Sequence, residues 1–589
     1  MAGPNTTPEP ATAGDRARLT DYLGHFVPKL VITLREGYTA GRFASDAMAG
    51  LTVAILALPL SMAIAIGAGV APASGLITSV VAGFFISALG GSRYQIGGPA
   101  AAFIVIIANV INKFGESGLM TATFLAGFIL VAAALLKLGT YIKYVPGPVI
   151  LGFTSGIGVI IAISQIKDML GIKGSVPAEI VAKLETLWQL RATINPWALL
   201  TCLATLAIIS GLKRWRPGWP GLLIAVGTVS GGAYLIGHDA LQVETIGSRF
   251  GGIPTALPAP VLPDLSWSKI VEVLPSTFTI AFLVGIESLL SAVAADAKTG
   301  GRHRSNVEVL AQGVANIASP LFGGLPATGV IARTGTNISA GGKTPVAGIL
   351  HAIFVLLFML LLAPLASYLA LPCLAAVLLN VSWRLIDWRE IAHFLGRAPT
   401  DDRLVLLVTL VLTILVDLNV AIAVGVVLAC MLFMHRMAES TGGRVATGGE
   451  APPRDEDAPR SAILDTPLPP GIAVFQMRGP LFFGGASAIT EAMQTLKPFP
   501  QALILRMRDV PLIDATALSA LEDLLLDCRK HGCRIVMSGL QRQPREAMHR
   551  MGLLRRHKVI IASNSFMALE KAKALMAGGN HEPGSDPRV

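Results

Sequence analysis

Between Asp46 and Arg93 the chain carries no Asp, Glu, Lys or Arg. A helix crosses the hydrocarbon core of a bilayer with about 20 apolar residues, so this one run has room for two crossings. Comparable stretches with one or no acidic or basic residue follow at 94–112, 117–136, 144–166, 192–212, 217–237, 273–295, 309–332, 344–383 and 404–434. Together they predict about 12 to 14 membrane-spanning segments, depending on how the short pieces 99–112 and 329–340 are treated. Only 14% of residues are charged, against about 25% in ordinary soluble domains. That deficit excludes a disordered chain and a conventional cytosolic enzyme.

The net charge is +10. In a chain this apolar the basic residues are read as loops facing anionic lipid, and no nucleic-acid partner is expected. Arg16, Arg18, Lys29, Arg35 and Arg42 precede the first span, and further basic loops lie at Lys137/Lys143, Lys213/Arg214/Arg216, Lys298/Arg302/Arg304 and Arg384/Arg389/Arg397/Arg403. The positive-inside rule then puts both termini in the cytoplasm of a bacterial inner membrane, given an even number of spans. No cleavable leader is expected. Five cysteines fall at neither metal-site nor disulfide-framework spacing, and no cofactor or resident metal is expected.

The character of the chain changes after Arg436. Residues 438–460 are rich in Gly, Pro, Thr and charge and read as a linker. Beyond them, strand-length apolar runs at 472–477, 502–507, 534–537 and 559–562 alternate with helical patterns at 517–530, 545–554 and 566–576. Such alternation predicts a small α/β domain. It holds neither a Gly-rich phosphate loop nor a nucleophile–base set, so a binding or regulatory role is expected. The organisation predicted is a cytoplasmic arm at 1–45, a membrane domain at 46–437, a linker at 438–460, the α/β domain at 461–577 and a disordered tail at 578–589.

Two segments interrupt the apolar pattern in corresponding places. Gly90-Gly91 and Gly97-Gly98-Pro99 break the first half; Gly323-Gly324, Pro326 and Gly329 break the second. Each lies about 50 residues after the start of the first span of its half, the spacing expected of an inverted repeat whose binding site is built from discontinuous helices. A helix starting within the membrane presents unpaired N–H groups and the positive end of its dipole. Two such ends facing each other make an anion site without a formal charge. Arg333, just inside the second short segment, would add to the positive field.

Glu287 lies mid-span in Phe282–Ser291, where an ionisable side chain is costly and marks function. Ser291 is one turn later on the same face. A carboxylate beside an anion site repels the anion unless a proton or Na⁺ neutralises it, which is a direct route to coupling. A structural pairing of Glu287 with Arg333 is the alternative. Asn109, Gln165, Gln312 and Asn316 are expected to form interhelical hydrogen bonds.

These features converge on a resemblance. The run Ala49–Ala63 with Pro59, the Gly98-Pro99 pair, Pro148–Phe153 with Gln165–Asp168, and above all Glu287–Ser291, Asn306–Asn316, Ala332–Thr334 and Gly342–Thr344 resemble the SulP anion transporters, which end in a STAS domain. Within that family the string is most similar to bacterial dicarboxylate- and sulfate-type members. The resemblance implies an α-helical polytopic fold of fourteen segments in two inverted seven-segment repeats, divided into core and gate domains. It implies that Pro99, Ala100 and Ala101 sit at one half-helix N-terminus, that the other begins near Thr328, and that Ala332, Arg333 and Thr334 lie just beyond it, all of them binding substrate. By the same resemblance Glu287, Ser291 and Thr328 are coupling residues, Leu60 and Ile64 border the substrate, and the protein is a homodimer with STAS domains in contact. Many members carry Gln at the Leu60 position and aromatics near Ile64 and Ala100, so this pocket is expected to be smaller-walled and less polar. Leu512–Leu518 is similar to the strand-to-helix turn of bacterial anti-sigma-factor antagonists, but Ala515 replaces their phosphorylatable Ser. A cytosolic regulator could still act at the STAS domain.

The function expected is therefore not enzymatic. It is secondary transport of an oxyanion (sulfate, a C4-dicarboxylate or bicarbonate), coupled to H⁺ or Na⁺, by an elevator-like motion. A membrane-anchored anion sensor with STAS output, or a passive anion channel, are the alternatives.

Overall fold

The structure is a computed structural model that describes residues 26–140, 146–174, 176–177, 179–216, 219–237, 241–416, 418–440, 442–447, 468–482, 489–491, 494–496 and 498–577. The chain divides into two units, Met1–Val426 and Val427–Val589.

Through the first unit and into the first residues of the second, the apolar runs are helices, the form that satisfies every backbone N–H and C=O within the segment. They are α1 (Ala40–Gly67), α2 (Pro72–Leu89), α3 (Ile104–Leu135), α4 (Gly147–Ser164), α5 (Pro196–Trp215), α6 (Gly221–Ile236), α7 (Trp267–Thr299), α8 (Ser305–Leu321), α9 (Ile331–Ser339), α10 (Val346–Ala366), α11 (Leu371–Leu385), α12 (Thr400–Leu415) and α13 (Leu418–Ser440). Among the described residues nine helices are long and apolar enough to cross a membrane. α3 is two segments in one, because Gly115 leaves the helical region (φ 71°, ψ −177°). Its first part is a half-length helix starting inside the protein. With α3 taken as two, α1 to α6 supply seven segments and α7 to α13 another seven.

The halves interlock reciprocally. α3 packs on α7 and α8, as α10 packs on α1 and α2; α5 packs on α11, as α12 packs on α4. Small residues allow the close crossings. A Cβ added to Gly127 would lie 2.7 Å from Gly313 O, and one added to Gly313 2.8 Å from Gly127 O. Two buried carboxylates fasten the loops. Asp46 at the start of α1 accepts from Lys343 N (2.7 Å), Thr344 N (3.2 Å), Thr344 Oγ1 (2.5 Å) and Tyr38 Oη (3.0 Å). Glu308 on α8 accepts from Gly91 N (2.9 Å), Ser92 N (3.1 Å) and Gln312 Nε2 (2.9 Å).

Beyond α13 the second unit is an α/β domain. Its five strands, β3 (Gly442–Ala446), β4 (Ile472–Arg478), β5 (Ala502–Asp509), β6 (Arg534–Ser538) and β7 (Ile560–Ala562), form one sheet in that order. β3 is antiparallel to β4 and the remaining pairs are parallel. Alternation along β5 divides the core: Leu503, Leu505 and Met507 face α14 (Ala515–Lys530), while Ala502 and Ile504 face α15 (Ser565–Met576). Ala515 is exposed at the start of α14, whose N-cap Asp514 accepts from Ala517 N.

Some expected boundaries move. α1 begins at Ala40, inside the expected arm, and α13 runs to Ser440. Residues 442–446, expected within the linker, are a strand, because pairing with β4 satisfies a backbone that the local composition leaves uncommitted. Residues 1–25 of the expected arm, 448–460 of that linker, 461–467 at the start of the α/β domain and the tail 578–589 lie outside the described residues.

Candidate functional site

The two broken segments meet. Gly97–Gly98 (β1) and Thr328–Gly329 (β2) pair antiparallel, Gly97 opposite Gly329 and Gly98 opposite Thr328, and Val330 N donates to Ile96 O at 3.0 Å. The crossing accepts only small residues on one side. A Cβ on Gly329 would overlap the Gln95 amide, and one on Gly98 would collide with the Arg333 guanidinium.

From this crossing two helices start. One begins as a tight turn at Ala101–Phe103 and continues into α3; the other is α9. Thr39, Asn195, Thr245, Asp387, Asp514 and Asn564 cap other helices with their side chains. At the crossing the N-cap residues are Ala100 and Val330, and neither side chain caps. The first intrahelical bond of α9 is Thr334 N to Val330 O, 2.9 Å, which leaves the N–H groups of Ile331, Ala332 and Arg333 ahead of it. Each uncapped end carries about half a positive charge, and a bound anion would serve as the missing cap.

α7 presents one face to the crossing. Val284 O accepts from Thr328 Oγ1 (3.1 Å), Ser288 O from Gln95 Nε2 (3.0 Å), and Ser291 Oγ meets Thr334 Oγ1 (3.2 Å), which also accepts from Ile96 N (3.2 Å). Positions 284, 288 and 291 share a helical face, and Glu287 lies on it. Glu287 is half-buried, and its carboxylate makes no hydrogen bond or ion pair among the described residues.

Arg333 turns the other way. Its Nη2 donates to Ser61 Oγ on α1 (2.8 Å), and its Nη1 to Ser79 Oγ on α2 (3.0 Å) and Gly97 O (3.4 Å). Ser61 and Ser79 bond each other at 2.9 Å. The alternative of a Glu287–Arg333 pair is thereby overturned, because the guanidinium is spent on α1 and α2 while Glu287 sits on α7. Among the described residues this buried cation has no carboxylate partner, which is costly, and neutral hydroxyls leave its charge uncompensated next to the crossing.

The remaining expected residues are placed as follows. Pro99, Ala100, Ala101 and Thr328 are buried at the crossing, and Ala332 is exposed in the first turn of α9. That helix begins at Ile331 rather than near Thr328, since Thr328 and Gly329 are held extended by β1. Leu60 is half-buried; Ile64 is 1% exposed and part of the apolar core. Asn316 holds the approach to β2, bonding Ala327 O (2.8 Å) and Ala327 N (2.9 Å). Gln95, Ser61, Ser79 and the fully buried His351 on α10 were missed; each is a polar residue in an apolar stretch, which was the available signal.

Residues 43–409 match the sulfate permease family, and residues 464–568 match the STAS domain. The chain is 39% identical over 526 residues to YvdB of Bacillus subtilis, covering 89% of this chain and 96% of that one. It is 31% identical over 562 residues to the bicarbonate transporter BicA of Synechocystis, covering 92% and 96%. The murine anion transporter Slc26a9 has the same fold, with a TM-score of 0.83 over 96% of both chains at 18% identity.

Proposed function

We propose, from the premise that this chain belongs to the sulfate permease family and is a multi-pass membrane protein, that it carries a small oxyanion across the membrane by secondary transport. The observation that carries the reading is the crossing of β1 and β2, which brings two uncapped helix N-termini together in an apolar interior. The anion binds there through backbone N–H groups and dipoles, with Arg333 supplying positive potential from behind Gly98.

Glu287 is the coupling group. Its face of α7 is fastened to both broken segments through Gln95, Thr328 and Thr334, so a change in its charge acts on the geometry that holds the anion. A proton, or Na⁺ held with Ser291 and Thr328, neutralises it as the anion binds; no other cofactor takes part. The core helices α1–α3 and α7–α10 then move against the remainder in an elevator-like step that exposes the site to the other side. Basic residues Lys29, Arg93, Lys298 and Arg304 near the start of α1 favour a cytoplasmic location for that face. The chain acts as a homodimer in a bacterial inner membrane.

Proteoliposomes loaded to impose a pH or Na⁺ gradient, and offered labelled sulfate, bicarbonate or succinate, test the reading. Uphill uptake of one anion driven by one gradient is expected. Flux without accumulation would make the protein a channel, and binding without flux would make it a sensor.

A further inference from the structure

A second feature lies on the opposite side of the helical unit from the start of α1. A cavity of about 420 Å³ opens where α1 ends, at Ile66–Gly69, between the last turns of the half-helix of α3 and the segment that follows α4. The α3 side contributes Asn109 and Asn112. The facing side contributes Lys167, Asp168, Lys183 and Arg249.

The charges in this cavity are unevenly used. Arg249 donates to Asp168 Oδ1 (2.9 Å) and to Glu244 Oε2 (2.9 Å from Nε), so its charge is spent and the trio is left with one surplus carboxylate. Lys167 and Lys183 make no ion pair among the described residues. Lys183 stands on the short helix Ile180–Gln189, outside the spans. It is half-buried, and burial holds its amine below the ordinary lysine value. An amine in that position gains from an added negative charge. Helix C-termini near the cavity oppose this by about half a charge each. The end of α1 is largely closed, because Ile64 O, Ala65 O and Ile66 O accept from Ala68, Val70 and Gly69. Lys167 and Lys183 exceed the surplus carboxylate of the Arg249 trio, so the cavity keeps a net positive charge of about one.

We infer that this cavity is a second oxyanion site, a vestibule in which Lys167 and Lys183 hold the anion and the Asn109 and Asn112 amides complete its hydrogen bonds. The inference rests on the transport reading for its purpose: the half-helix whose N-terminus forms the crossing lines the vestibule with its other end. Movement of that half-helix along its axis carries the crossing toward these lysines. The vestibule thus concentrates the anion on one side only.

Purified full-length protein, acetylated with a small amine reagent and read by mass spectrometry, tests the site. Sulfate is expected to slow labelling of Lys183 and Lys167 roughly tenfold at saturation. Gluconate at equal ionic strength should leave both unprotected, and exposed Lys213 should be indifferent to either salt. Arg333→Ala, which weakens the crossing, should leave the protection intact. In liposomes sorted by orientation, Lys183→Gln should raise KM several-fold from the vestibule side with kcat unchanged. Absence of protection in protein that transports, or loss of protection in Arg333→Ala, would overturn the vestibule. Protection in protein that transports nothing would sustain the site and sink the transport reading instead.

Discussion

Gly98 has no room for a side chain because the Arg333 guanidinium occupies the space its Cβ would take. The close approach lets Nη1 reach both Ser79 Oγ and Gly97 O, placing a fixed charge directly behind the backbone that meets Thr328. Chain path and electrostatics at the crossing are therefore a single feature.

Gly98→Ala should displace Arg333 and abolish anion uptake. Overpacking at a buried site should also lower stability by about 1–3 kcal/mol. Gly41→Ala, in open space on α1, is the control and should leave uptake unchanged. Uptake together with thermal unfolding in detergent distinguishes a local lesion from general misfolding.

Arg333→Ala should weaken anion binding about tenfold, near 1.4 kcal/mol. Arg333→Lys keeps the charge but loses the fork that reaches Ser61 and Ser79 together, so an intermediate affinity is expected. Equal affinity in all three proteins, measured by calorimetric titration with sulfate, would show that Arg333 does not act on the anion.

Glu287→Gln should remove gradient-driven accumulation and leave anion exchange or binding. The neutral amide imitates the protonated carboxyl, so the variant is held in the loaded form. Full accumulation in this variant would rule out Glu287 as the coupling group.

Thr334→Val removes the oxygen that accepts from Ile96 N and bonds Ser291 Oγ. A buried N–H left without a partner costs about 1–3 kcal/mol, and the melting temperature should fall accordingly. Uptake should fall as well, since the same oxygen fastens α7 to both broken segments.

Tyr38, which lies just before α1, is pushed up to about 12, first by its burial and second by donation to Asp46. The phenolate is disfavoured in the folded protein, so this contribution to stability is intact below the ordinary value of 10.0 and is lost as pH rises from there toward 12. An ultraviolet phenolate titration should show a late-titrating component that is lost in Tyr38→Phe. Stability of the variant should depend less on alkaline pH than that of the parent.

The sequence determined what local rules govern. Charge-free runs of span length specify the helices, because lipid leaves the backbone no other partner. Gly-Pro breaks mark where helices must restart, and alternation along 502–507 specifies a two-faced strand. Glu287 was legible because its cost in a span depends on depth alone. What only tertiary structure decided is which distant groups meet: Gly97 opposite Gly329, Arg333 turned to Ser61 and Ser79 and away from Glu287, Gln95 on the Ser288 carbonyl, and residues 442–446 added to a sheet. Each of these is a choice among partners far apart in the chain. Local propensity is blind to it, and it is settled by which arrangement leaves the fewest buried polar groups unpaired.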